Sequence, residues 1–161
     1  MDIDNELGLI FSSVLSEIIT TVSGFSLNVL PPPGKTTDET QDEHENSFDE
    51  MTGIMSLSGK KNSILFISAK ENDMSQLCSS IIGVPQNELT KEDVEDTLCE
   101  LVNMTAGSAK LRLSGTEYVF NLSSPFILKG QNMHIVRKRK TRVISRDLGN
   151  GEITVRIKVV Y

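Results

Sequence analysis

Leu7, Ile10, Phe11, Val14 and Ile18 recur at helical spacing, and this pattern predicts a helix over residues 4–23 that breaks near Gly24. The LNVLPPPG that follows cannot be helix interior, because its prolines remove backbone donors and fix φ. Residues 35–50 are polar and acidic and read as a mobile loop. MTGIMSLS and NSILFISAK are strand-like runs joined by GKK, the pattern of a hairpin. NDMSQLCSSIIG is an amphipathic helix carrying Met74, Leu77, Cys78, Ile81 and Ile82, stopped by Gly83 and Pro85. Thr90 opens the next helix. Thr90 and Asp93 have capping-box spacing, with Asp in place of the usual Glu, and Glu92 adds charge at the positive helix end. That helix is expected to run to about residue 113. EYVFNLSSPFILKG reads as strand interrupted at Pro125, and RVISRDLGNGEITVRIKVVY as a hairpin turning at GNG. The order predicts an α+β fold, an antiparallel sheet with helices packed on it. One domain over 1–161 is expected: a first helix (1–24), a Pro-rich acidic loop (31–50), and a hairpin, two helices and C-terminal strands (51–161).

Composition narrows the chemistry. The 161 residues are 38% hydrophobic and 24% charged, ordinary for a globular domain. Asp and Glu outnumber Lys and Arg by 22 to 16, a formal charge of −6 that argues against nucleic acid as partner. The basic run VRKRKTR (136–142) reads instead as a solvated edge strand, where Lys and Arg discourage pairing. There is little aromatic surface for base stacking, with two tyrosines, six phenylalanines and no tryptophan. The start MDIDNELGLIF is acidic, unlike a secretory signal, and no apolar run is long enough to span a membrane. A cytoplasmic location is expected. Cys78 and Cys99 read as reduced residues at apolar helix positions, without partners at metal-ligand spacing. His44 lies in the acidic, solvated stretch and His134 among turn and strand residues, neither with a companion for a dyad. Phosphate-loop, nucleophile-elbow and zinc-protease motifs are absent.

The informative stretch is EDTLCELVNMTAGSAK. At 100° per residue, Asp96, Glu100, Asn103 and Gly107 fall within roughly 60° of one another, while Val94, Leu98, Leu101, Thr105 and Ala109 gather on the opposite side. The apolar side should pack on the sheet and the acid/amide side should face outward. A solvated helix face accounts for the pattern as well. However, Asn and Gly are poor helix-interior residues. The first helix repeats the spacing with Ser13, Glu17, Thr20 and Gly24, offset by 83 residues throughout. An internal duplication leaves such a mark, here with the amide lost from the first copy.

This pattern resembles the CheC/CheX phosphatases of bacterial chemotaxis, whose signature is Asp or Ser, three residues, Glu, two residues, Asn, and later a Pro. Asp96, Glu100 and Asn103 match it. Pro125 follows after 21 intervening residues, one fewer than the family's usual spacing. The likeness extends over 53–161 and is closest to CheX, which has one working site. The degenerate first copy (Ser13, Glu17, Thr20) and the absence of a proline at the expected distance after it fit that comparison.

The resemblance implies a pseudo-symmetric CheC/CheX-like domain and a protein substrate, the phosphorylated CheY-like receiver of a chemotaxis or two-component circuit. It implies that Asn103 places the water that attacks the aspartyl phosphate and that Glu100 pairs with a lysine near the receiver's phosphorylation site. Asp96 would touch the receiver's rim. Gly107 would admit the partner's backbone, or would serve a tight packing contact within the domain. The chain would need no cofactor or metal of its own, the divalent metal (Mg) being supplied by the receiver. A homodimer formed through the sheet is also implied. The rival expectation is a non-catalytic receiver-binding or adaptor module of the same fold.

Overall fold

The structure is a computed structural model and describes residues 3–31, 44–137 and 141–161. Helix α1 (Ile3–Ser23) leads into the two-residue strand β1 (Asn28–Val29). Strands β2 (Ser47–Phe48), β3 (Met51–Gly59) and β4 (Ser63–Ala69) follow, then α2 (Glu71–Ile82) and α3 (Lys91–Arg112). The chain closes with β5 (Phe120–Leu122), β6 (Phe126–Lys129), β7 (Met133–His134), β8 (Val143–Gly149) and β9 (Thr154–Val160). The main sheet runs β1-β8-β9-β4-β3-β5, with β6 also on β3, and every pairing is antiparallel. This is the expected α+β architecture. Both hairpins form where the sequence places them, β3–β4 around GKK and β8–β9 around GNG.

Period-two alternation divides the sheet into two faces. Met51, Met55 and Leu57 of β3, Leu65 and Ile67 of β4, and Val155, Ile157 and Val159 of β9 join one buried cluster with the helices. Helix α1 contributes Leu7, Phe11, Val14, Leu15, Ile18 and Ile19 to it. By length and composition alone α1 would pass for a membrane span, which the reading of the sequence did not credit; its apolar side is the side packed in this core.

Strand β3 carries α3. It bonds β4 along one side and, along the other, β6 at its start and β5 at its end. Pro125 falls between β5 and β6, where a residue without an N–H interrupts what would be one edge strand. Gly53 is the contact point with α3. A Cβ there would lie 2.6 Å from Val102 Cγ2 and 3.1 Å from Leu98 Cγ, so only the missing side chain lets the helix sit this close.

The opposite sheet face bears charge. Lys158 is 1% exposed. Its ammonium donates to the carbonyls of His44 (2.9 Å), Glu45 (2.7 Å) and Ser47 and lies 4.8 Å from the centre of the Phe48 ring. Burial, with the like charge of Arg156, pushes the Lys158 pKa down to about 7. Asp147 accepts from Arg156 Nε at 2.7 Å and lies 3.0 Å from His44 Nε2. The expected acidic loop therefore needs correcting at its C-terminal end. Residues 32–43 lie outside the described residues, but Ser47 and Phe48 pair with β7 and cover this face. His44, expected to be solvated and without a companion, is a half-buried partner of Asp147 and Arg156. In the basic run, residues 138–140 lie outside the described residues; Arg137 bonds Asn46 and Glu45, and Arg142 bonds Asp4.

Replacing Gly53 by Ala is expected to cost about 1–3 kcal/mol in denaturant unfolding, because neither Val102 nor Leu98 can move without lifting α3. A second expectation concerns acid. Burial raises the Asp147 carboxyl, but the hydrogen bond and charge of Arg156, helped by His44, outweigh it and hold the group below the ordinary aspartate value. Stability from this group is therefore present above the unfolded pKa and is lost as pH falls through the depressed folded one. Asp147→Asn should be less stable than wild type at neutral pH, since it leaves the half-buried Arg156 with only the more distant Asp49 carboxylate, at 3.7 Å, as its charge partner. Its melting temperature should also fall less steeply than that of wild type below about pH 4.

Candidate functional site

The exposed strip of α3 is built from its cap upward. Thr90 and Asp93 form the reciprocal capping box, with Asp93 N–H donating to Thr90 Oγ1 at 3.1 Å and Thr90 N–H to Asp93 Oδ2 at 2.8 Å. The backbone and side-chain bonds from Thr90 hold the Asp93 carboxyl below its ordinary value. Val94, Leu98, Leu101, Thr105 and Ala109 are all buried, as the periodicity predicts. Asp96, Glu100 and Asn103 are exposed on the other side, and Gly107 is partly exposed. Packing on β3 and α1 thus fixes the helix rotation that presents these four residues together.

The fold treats the charges of α3 unequally. Glu95, on the flank, pairs with Lys129 of β6 at 3.3 Å. Arg112 reaches α1 and donates to Ser13 Oγ at 3.0 Å and Glu17 Oε2 at 2.5 Å. Among the described residues, no hydrogen bond or ion pair engages the side chains of Asp96, Glu100 or Asn103. Gly107 has no atom within 4 Å of where a Cβ would stand, so the reading as an internal packing contact falls away. Its cost in a helix is then uncompensated within the domain.

The related set on α1 is arranged differently. Ser13 and Glu17 are occupied by Arg112, and Thr20 Oγ1 donates to Ser16 O within its own helix at 2.8 Å. Gly24 lies beyond the helix at φ 77°, in the left-handed region. The 83-residue offset does place both sets on long helices of the same layer. Only the α3 set leaves its acid open and carries an amide.

No group of three His, Cys, Asp or Glu side chains is placed to hold a metal ion among the described residues. Both cysteines are free. Burial raises the Cys78 thiol, which lies 3.1 Å from Thr97 Oγ1, and burial with Asp96 and Glu95 nearby raises that of Cys99. Neither is poised as a nucleophile. What sequence reasoning missed is the sorting of charges: which acid on α3 is neutralised depends on Lys129 and Arg112, and no motif spacing announces those partners.

An antiparallel sheet with long helices packed against it is the fold of chemotaxis proteins of the CheC/CheX kind. Residues 51–146 match the family described as "Chemotaxis phosphatase CheX", and the chain belongs to that family. Solved structures share the fold. Chemotaxis protein CheX from Vibrio vulnificus aligns with TM-score 0.77 and 20% identity over 96% of this chain and 97% of that one. A CheC-like superfamily protein from a Shewanella species gives 0.78 and 22% over 99% and 98%. A CheX from Borrelia burgdorferi, in a CheX–CheY–BeF3–Mg complex, gives 0.73 and 18% over 94% and 95%. No curated protein matches the chain by sequence.

Gly107→Ala should raise unfolding free energy by about 0.5–1 kcal/mol, the helix-propensity difference, because the added methyl meets nothing. Thermal or urea denaturation checks this. A loss of stability would mean that the glycine serves the fold after all.

Proposed function

We propose that this protein is a cytoplasmic phosphatase that hydrolyses the aspartyl phosphate of a CheY-like receiver, with Asn103 and Glu100 as its working residues. The observation that carries the reading is the pair itself. An amide and a carboxylate stand one turn apart, exposed and without internal partners among the described residues, on a helix whose orientation the core dictates. The family description and the CheX–CheY complex from Borrelia support it.

The chemistry asks little covalent work of this chain. A water attacks phosphorus, the acyl-phosphate P–O bond breaks, and inorganic phosphate and a free aspartate carboxylate result. Such transfers depend on position and electrostatics. Asn103 fits the positioning task, since its amide oxygen accepts from the water while its NH2 donates to the water or to a phosphoryl oxygen. Ordering that water removes part of the entropic barrier. Glu100, on the same face, pairs with a receiver lysine, and the ion pair gains weight as docking strips its water away. Asp96 meets the rim of the receiver. Gly107 admits its backbone closely, which gives an external reason for a glycine that the domain's own packing does not need. The divalent metal, Mg²⁺, comes with the receiver, where it neutralises phosphoryl charge. Pairing of two copies through the sheet is part of the same reading.

The test is the decay of a phosphorylated CheY-like receiver from the same organism, followed with wild type and Asn103→Ala. Wild type should accelerate decay, and the variant should lose about 100-fold of that acceleration while still binding. Binding without acceleration by either protein would replace this reading with that of a docking module.

A further inference from the structure

Once the internally neutralised groups of α3 are set aside, its exposed strip has a direction. Asp93 is consumed by the cap, Glu95 by Lys129, and Arg112 by Ser13 and Glu17. Glu92, Asp96 and Glu100 remain in the first half, then Asn103, then the gap at Gly107. Lys110 follows, one turn beyond the gap and within roughly 60° of Asn103 and Gly107 around the helix axis. Its only bond among the described residues is to Asn121 Oδ1 at 3.5 Å, the outer limit for a hydrogen bond. The strip therefore reads acid, acid, acid, amide, gap, cation. Lys110 stands about 15 Å along the axis from Glu100.

An acid-only strip laid on a basic patch has two near-equivalent orientations, related by reversing the helix. Only one of them brings Asn103 to the phosphoryl group when the partner's cation takes Glu100. A cation beyond the gap breaks the equivalence if the partner is acidic there. A receiver carrying an aspartyl phosphate beside a divalent metal meets that condition, since carboxylates hold such a metal.

We propose that Lys110 is a specificity-determining residue, pairing with an acidic group at the rim of the phosphorylated receiver and fixing the direction in which α3 lies across it. This rests on the receiver-phosphatase reading above and adds the orientation that reading leaves open. A lysine in the last turn also suits the helix dipole, so the test must read docking rather than stability.

Steady-state dephosphorylation of an acetyl-phosphate-charged CheY-like receiver is measured with wild type, Lys110→Glu, Lys110→Arg and Asn121→Ala, at low salt and at about 0.5 M salt. Lys110→Glu should raise KM about tenfold at low salt with little change in kcat, and the difference should shrink to about twofold at high salt. Lys110→Arg should behave as wild type. Asn121→Ala, which removes only the internal partner, should not affect KM. The proposal is overturned if Lys110→Glu matches wild type at low salt, if it lowers kcat instead of raising KM, or if Asn121→Ala reproduces its defect. A wild type that leaves the decay unchanged would sink the phosphatase reading instead. In that case receiver binding by wild type and Lys110→Glu, compared at both salts, decides the docking proposal on its own.

Discussion

The seating of α3 on β3 is the constraint on which the remaining structure depends. Gly53 withholds a side chain where Val102 and Leu98 press against the sheet. β3 is bonded on both sides, so it cannot yield to the helix. Interiors at this packing density transmit a displacement instead of absorbing it. The rotation of α3 follows directly. Turning the helix by one residue's 100° would put Glu100 in the buried place of Leu101 and bring Leu98 to the partly exposed place of Cys99. The acid/amide strip is thus held by the core beneath it, without loops or hinges of its own.

The flanks of that strip are quieted by other elements. Lys129 on β6 takes Glu95, and Arg112 crosses to Ser13 and Glu17 on α1. Exposed pairs of this kind contribute little stability. Their consequence is selective. They occupy groups that would otherwise compete for a charged partner, and they leave Asp96 and Glu100 open. The same Arg112 covers two members of the related set on α1, whose third member, Thr20, spends its hydroxyl on its own helix. Two faces that look alike in the sequence are therefore chemically unequal in the fold.

The other face of the sheet solves a separate problem. Lys158 and Arg156 point away from the helices into a partly buried layer, and a charge there is tolerated only when paired or well hydrogen-bonded. The carbonyls of His44, Glu45 and Ser47, the Phe48 ring and the carboxylate of Asp147 meet that need. In return they draw the end of the acidic segment onto the sheet, where Phe48 covers Phe66.

Much of this was legible in the chain. Periodicity marked the helices and hairpins, because their amphipathic patterns are local and each repeats over several turns or strand pairs. The Thr90–Asp93 box and the Asp96, Glu100, Asn103 and Gly107 spacing were readable for the same reason: residues of one helix keep a constant angular relation whatever surrounds them. His44 and Lys158, 114 positions apart, were not readable together, since their contact exists only after β9 and the 44–48 segment meet on the sheet. Nor was the difference between the internal and external readings of Gly107, which depends on what lies beside it. Sequence determined which groups share a face. Only the tertiary structure decided which of those groups stay free, because neutralisation of Glu95, Glu17 and Arg112 comes from residues distant in the chain.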